Sequence, residues 1–230
     1  MADLADGAPL ILSFDTSGPH IAVALFSGDQ RLTTESMDMK RGQAEALQPL
    51  VEETLESAGV SYGDLSAIGV GVGPGNFTGI RISVAFARGL GLVTKLPVLS
   101  ITSFDLMRAA VDDAEAKTFL LSVPAPRDQV YVQFQNLGQP VGEPGLVDPS
   151  ALPDHLIRTD MKLLGHRVQE MAEHLNVPFQ EAVIEDVPNR LGRLAHWKWQ
   201  HHRDVAPPSP LYVRPADATP ASDPPPVIFS

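Results

Sequence analysis

Gly73-Pro74-Gly75-Asn76-Phe77-Thr78-Gly79-Ile80-Arg81 is the stretch whose reading decides the fold. It joins a strand-like apolar run, Ala67 to Val72, to a helix-like run, Gly79 to Val93. Glycine tolerates positive φ and lets a ligand or another backbone come close. Pro74 sets one turn dihedral, and Thr78 is placed to cap the helix. Such a loop at a helix N-terminus is either an anion cradle or a rigid packing corner. Arg81 has two readings: it bonds the loop carbonyls, or it faces the carboxylates of a partner.

Upstream, Leu10 to Ser17, Ile21 to Phe26 and Arg31 to Met37 read as strands, with turns at Gly18-Pro19 and Gly28-Asp29. Short turns between consecutive strands predict an antiparallel meander. Gln43 to Ala58 reads as an amphipathic helix, with Leu47, Leu50, Val51, Thr54, Leu55 and Ala58 on one face and Gly59 as its stop. Glu45, Glu52, Glu53 and Glu56 take the other sides. Downstream, Val98 to Ile101 is a strand, and Phe104 to Ala114 a helix capped by Ser103. Phe119 to Val123 and Val130 to Gln135 are strands, and Leu163-Leu164 a short one. A helix then runs to about Leu175, and Asn189 to Gln200 is the last helix.

The order of elements occurs twice, the second time more weakly. This predicts two related α/β lobes with mixed sheets flanked by helices. The expected divisions are a first lobe at 9–104, a smaller second lobe at 105–205, and a tail at 206–230. From Val205 onward eight of 26 residues are proline, which excludes helix and central strand. Pro210 to Arg214 is expected to lie extended against the body, and the last dozen residues to be disordered.

The helix after the glycine loop is apolar nearly all round. Ile82, Ala85, Phe86, Gly89, Leu90 and Val93 line one face, and Ile80, Val84, Ala87 and Gly91 much of the rest. Such a helix is buried on more than one side. In a domain of this size the second burial is expected to be available to another chain, with Ala85, Gly89 and Gly91 permitting close approach. The expected interface takes Gln43, Leu47, Leu50 and Thr54 from the first helix, and Ile82, Ala85, Phe86, Gly89 and Leu90 from the second. Leu47, Leu50, Val51 and Leu55 suit the lobe core equally.

The formal net charge is −11 and there is no cysteine. The acidic balance argues against unaided binding to a phosphate backbone. Without cysteine there is no disulfide, thiolate nucleophile or cysteine metal site. No apolar run reaches about 18 residues, so no membrane span is expected. The acidic start Met1 to Asp6 is unlike a signal peptide, and a cytoplasmic protein is expected. No Gly-x-Ser-x-Gly elbow or His-Glu-x-x-His motif is present. His201-His202 beside Trp197 and Trp199 reads as surface or packing, because adjacent histidines do not share a helix face.

The glycine loop, Phe14-Asp15-Thr16-Ser17, Pro97 to Ser103 and Pro210 to Arg214 together resemble one family, the bacterial tRNA threonylcarbamoyladenosine biosynthesis protein TsaB (YeaZ-like). The family's loop is Gly-Pro-Gly-Ser-Phe-Thr-Gly-Ile-Arg, from which only Asn76 departs. The match is strong over about residues 10 to 104 and weak over about 119 to 215. The resemblance implies a two-lobed actin-like fold of the ribonuclease H-like class. It implies a non-catalytic partner of TsaD in placing threonylcarbamoyl on adenosine 37 of ANN-decoding tRNAs, with TsaE as accessory ATPase and tRNA met only through the complex. It also implies pairing through the first-lobe helices, with TsaD or with a second copy.

Within that superfamily Asp15, Thr16 and Ser17 fall on the first phosphate loop, where ATP or ADP would bind. The plainer reading is that Asp15 caps a turn while Thr16 and Ser17 bond local backbone. Two departures matter. Pro124-Ala125-Pro126-Arg127-Asp128 occupies the second phosphate loop, and proline has no amide to give. The helix at Ser103 to Ala114, with Asp105, Asp112 and Asp113, lacks the His-x-x-x-His metal pair of TsaD. No catalytic or metal-ligating residue is therefore expected. An actin-like ATPase or small-molecule kinase is the alternative function.

Overall fold

The computed structural model describes residues 7–111, 116–158, 160–173, 175–201 and 206–213. Its frame is two five-stranded sheets. The first comprises β1 (Leu10–Asp15), β2 (His20–Ser27), β3 (Gln30–Asp38), β4 (Ala67–Gly73) and β5 (Val98–Thr102), in the order β3-β2-β1-β4-β5. β1, β2 and β3 are antiparallel neighbours, and β4 and β5 run parallel to β1. The second comprises β6 (Thr118–Pro124), β7 (Val130–Asn136), β8 (Gln139–Val147), β9 (Lys162–Gly165) and β10 (Phe179–Glu181), in the order β8-β7-β6-β9-β10. Its first three strands are antiparallel and its last two parallel to β6. The internal repeat expected from the sequence is present, and both sheets are mixed and flanked by helices.

α1 (Gln43–Ala58) and α2 (Phe77–Thr94) cover one face of the first sheet, α1 over β2 and β3, α2 over β4. Leu12, Phe14, Val23 and Leu25 from the sheet meet Leu47, Val51 and Leu55 of α1 and Ile80, Val84 and Ala87 of α2 in one buried cluster. Gly59 ends α1 in the left-handed region, as expected. α2 starts two residues before the predicted helix, and its cap is Asn76, not Thr78: the Asn76 carboxamide oxygen accepts from the amides of Thr78 and Gly79. α2 is also long and apolar enough to cross a membrane by length and composition. Arg81 and Arg88 hide this by interrupting the run.

The second lobe is reduced. α1 has as its counterpart there one 3-10 turn, Asp154–Leu156, and α4 (Val168–Ala172) is short beside α2. β8 escaped the sequence reading because its first five residues are exposed and it holds Pro140, Gly142 and Pro144. β10 is only three residues long. α3 (Ser103–Arg108) is shorter than predicted and is capped by Thr102 instead of Ser103. The Thr102 hydroxyl accepts from the Asp105 amide at 3.0 Å while the Asp105 carboxylate accepts from the Thr102 amide at 2.9 Å, a reciprocal capping box. Asp112 and Asp113 lie outside the described residues.

α5 (Val187–His201) corrects the lobe division. Assigned by sequence to residues 105–205, it packs on the other face of the first sheet, where Leu191 and Ala195 meet Ile11, Ala67, Leu99 and Ile101. Gly192 lies against the Phe26 ring, where any side chain would collide. Residues 206–213 lie back against the body without helix or strand, and the Leu211 amide donates to the Val72 carbonyl at 2.9 Å. The expected placement against the body is present. Arg214, His174, His202 and the tail from residue 214 onward lie outside the described residues.

Candidate functional site

The glycine loop resolves to a packing corner. Asn76 donates its amide to the Ser17 carbonyl at 2.7 Å, and the Thr16 hydroxyl donates to the Gly79 carbonyl at 2.6 Å. Gly75 and Gly79 lie so close to the Ser17 and Thr16 carbonyls that a Cβ on either would overlap them. The Ser103 hydroxyl ties the Pro74 carbonyl at 2.8 Å. The amides of Thr78, Gly79 and Ile80, which an anion at this helix end would need, are taken by the side chain and carbonyl of Asn76. The loop thus locks α2 to the end of β1, with Gly73-Pro74 in the cis form.

Arg81 follows neither sequence reading. Its Nε donates to the Tyr212 hydroxyl at 2.7 Å, and its guanidinium lies 3.7 Å from the Phe77 ring centroid. Phe77 and Tyr212 rings are 5.1 Å apart. Arg81 pins the returning chain to the start of α2. Tyr212 stood in the quoted motif, but nothing in its spacing revealed this partner.

Asp15 is 1% exposed. Its Oδ1 accepts from the Ser17 amide and its Oδ2 from the Ser17 hydroxyl, each at 2.9 Å, and His20 Nε2 lies 3.1 Å from Oδ2. Turn capping by Asp15 is as the plainer reading had it, but Thr16 bonds a carbonyl sixty-three positions away instead of local backbone. His20 is the residue that sequence reasoning missed, since no motif marks it. Gln43 completes the turn by donating to the carbonyls of Gly18 at 2.9 Å and His20 at 2.7 Å.

Between the lobes, Asp15, Ser17 and His20 open on a cavity of about 340 Å³. Leu106, Met107, Val123, Ile184 and Val187 make much of its wall. The first-phosphate-loop residues expected from the sequence, Asp15 and Ser17, thus face this cavity, but its second-loop side offers a phosphate no donor. Pro124 and Pro126 offer no amide, and the Ala125 amide is spent on the Gln129 carbonyl at 3.2 Å in a hairpin turned by left-handed Arg127 and Asp128. A triphosphate would meet proline rings and aliphatic side chains where it needs donors.

The helix residues divide cleanly. Ile80, Val84 and Ala87 are buried. Ala85 and Gly89 are exposed, Ile82, Phe86 and Leu90 half-buried, and Leu92 and Val93 are 71% and 80% exposed. Phe86 leans toward the sheet, its ring 5.2 Å from that of Phe14. The contribution expected from α1 needs correction. Gln43, Leu47, Leu50 and Thr54 are all buried within the chain: Leu47 and Leu50 belong to the lobe core, Thr54 bonds the Leu50 carbonyl, and Gln43 braces the Asp15 turn. His201 stacks on Trp197 at 4.7 Å, a packing role.

The family model described as TsaD, tRNA N6-adenosine threonylcarbamoyltransferase, matches residues 37–202. The protein named tRNA threonylcarbamoyladenosine biosynthesis protein TsaB from Buchnera aphidicola subsp. Schizaphis graminum is 32% identical, covering 53% of this chain and 58% of that one. The chain spans about half the length of the curated relatives of that name that it matches. The solved structure of YeaZ from Pseudomonas aeruginosa superposes with a TM-score of 0.69 at 25% identity, over 89% of this chain and all of that one. A ROK family protein from Streptococcus pneumoniae shares the fold alone, with a TM-score of 0.52 at 12% identity over 83% of this chain and 98% of that one. With the model spanning more than half of its length, the chain belongs to the TsaD, tRNA N6-adenosine threonylcarbamoyltransferase, family, and its likeness within it is to proteins named TsaB and YeaZ.

Proposed function

We propose that this chain is the TsaB-type partner of TsaD in the threonylcarbamoylation of adenosine 37 in ANN-decoding tRNAs, and that it supports the transfer without performing it. The single observation that carries this reading is the outward face of α2. Ala85, Gly89, Leu92 and Val93 leave an apolar strip uncovered on a helix whose opposite side is already sealed in the core. Exposed apolar area of this kind on a rigid element is what a partner covers. The non-catalytic part rests on two further observations. α3, where TsaD would carry its histidine pair, spends Phe104, Leu106 and Met107 on packing. The second-loop position is a proline-flanked hairpin. TsaE joins at the surface that the pair creates, tRNA is met through the complex, and the setting is the cytoplasm.

The test is light scattering after size-exclusion chromatography, on the chain alone and mixed with TsaD of the same organism. A 1:1 complex is expected, burying on the order of 1,600 Å². Ala85→Arg is expected to remove it, because an unpaired guanidinium in a close helix contact costs about 3 kcal/mol or more, over a hundredfold in Kd. A complex that survives Ala85→Arg moves the interface off α2. No complex with the native chain removes the partner reading, and magnesium-dependent ATP turnover by the isolated chain replaces it with the kinase-like one.

A further inference from the structure

The two helices that cover the first sheet are oppositely charged. Every charged side chain of α1 is acidic, namely Glu45, Glu52, Glu53 and Glu56, and every charged side chain of α2 is basic, namely Arg81 and Arg88. Lys95, the α2 C-cap, extends the basic set. Arg81, Arg88 and Lys95 recur every seven residues, so they follow one strip along the helix with a drift of about 20° per step. Glu45, Glu52 and Glu56 share the outward ridge of α1 by the same geometry. All seven side chains are exposed. Among the described residues, none of the four glutamates is ion-paired with Arg88 or Lys95.

Helix stability accounts for only part of this arrangement: Glu45 in the first turn of α1 and Lys95 at the α2 C-cap suit the macrodipole, and the other charges do not follow it. Glu56 stands in the last turn of α1, which has no basic residue, and the first turn of α2 has no acidic one. The macrodipole favours the reverse in both places. Phe86 contacts Phe14 of β1, so Ile82, Phe86 and Leu90 point toward the α1 side. Arg88 lies about 160° round the helix from Phe86, on the β5 side. Across the face the order is therefore carboxylates on α1, the apolar strip, then cations.

Resting on the α2 docking reading above, we propose that this face selects its partner by a matching charge gradient. The partner presents an apolar helical surface with carboxylates on the flank that meets Arg88 and Lys95, and cations on the flank that meets Glu45, Glu52 and Glu56. Charge flanking an apolar contact acts chiefly on encounter and orientation. Association should therefore be fast at low salt and should slow as salt screens it.

The experiment measures association and dissociation rates of the full-length chain with TsaD of the same organism, at low and high salt. The variants are R88E with K95E, and R88Q with K95Q, each first shown to melt as the native chain does. Reversal is expected to slow association about tenfold at low salt and neutralisation about threefold, with dissociation changed less than about twofold and the differences shrinking at high salt. Equal association rates and equal salt dependence in all three proteins overturn the charge gradient while leaving the docking reading intact. Absence of any complex with the native chain overturns both. If the native chain pairs only with itself, with the same salt dependence and the same loss on reversal, the acidic flank belongs to α1 of a second copy and the assignment to a different protein falls.

Discussion

Asn76 shows how one side chain sets the character of the whole loop. Its carboxamide caps α2 through Thr78 and Gly79, and its amide reaches back to Ser17. Asn76→Ala is expected to lower unfolding free energy by about 1 kcal/mol, the usual cost of a lost N-cap, measured by urea denaturation. Gly79→Ala at the same corner is expected to cost at least about 2 kcal/mol, because its methyl would enter the Thr16 carbonyl and the backbone must move. If Gly79→Ala melts like the native chain, the tight approach of β1 to α2 is not what holds the corner. The Asn76 result also bears on chemistry. The same side chain that gives α2 its stability takes the amides that a phosphate would otherwise use.

At the scale of elements, α2 carries two demands that can be separated by substitution. Gly89 sits mid-helix with nothing within 4 Å of where a Cβ would be. Gly89→Ala is expected to stabilise the isolated chain by up to about 1 kcal/mol, since glycine is the poorer helix former by that amount. The added methyl also stands on the outward crest beside Ala85, and it is expected to weaken TsaD binding in the same titration that tests Ala85→Arg. A gain in stability without loss of binding would place the close contact elsewhere on the helix. The extent of α1, the stop at Gly59 and the two-sided pattern of α2 were legible in the sequence, because 3.6-residue periodicity is local and strong there. β8 was not legible, being a largely exposed edge strand with two prolines and two glycines. Nor was the placement of α5, since its apolar stripe names no target sheet. The site divided in the same way: the loop and Asp15 were visible as motifs, but His20 and Tyr212 acquire roles only through contacts made at a distance.

For the whole molecule, the returning chain is one of the contacts that join the lobes, beside α3, which packs on β6, and Ile184, which lies against a cluster of each sheet. Leu211 packs against both the core beneath α1 and α2 and the cluster in which Phe104 and Met107 meet Phe119 and Leu121 of the second sheet. Its amide extends the β4 end at Val72, and Tyr212 is held by Arg81 beside Phe77. One segment therefore touches both lobes and the start of the helix proposed to meet TsaD. Leu211→Ala removes the shared contact. Because Leu211 is only partly buried, the expected loss is about 1.5–3 kcal/mol, at or below the low end for a core leucine. The informative measurement is native-state hydrogen exchange resolved by element. If the segment braces the lobes, protection should fall in β4, α3 and β6 together, while the first-sheet core under α1 keeps most of its protection. A fall confined to residues 206–213 would mean that the segment rides on the body without holding it. The same variant should also bind TsaD more weakly if α2 needs its N-terminal end fixed, and an unchanged affinity would show that the glycine corner alone positions the helix.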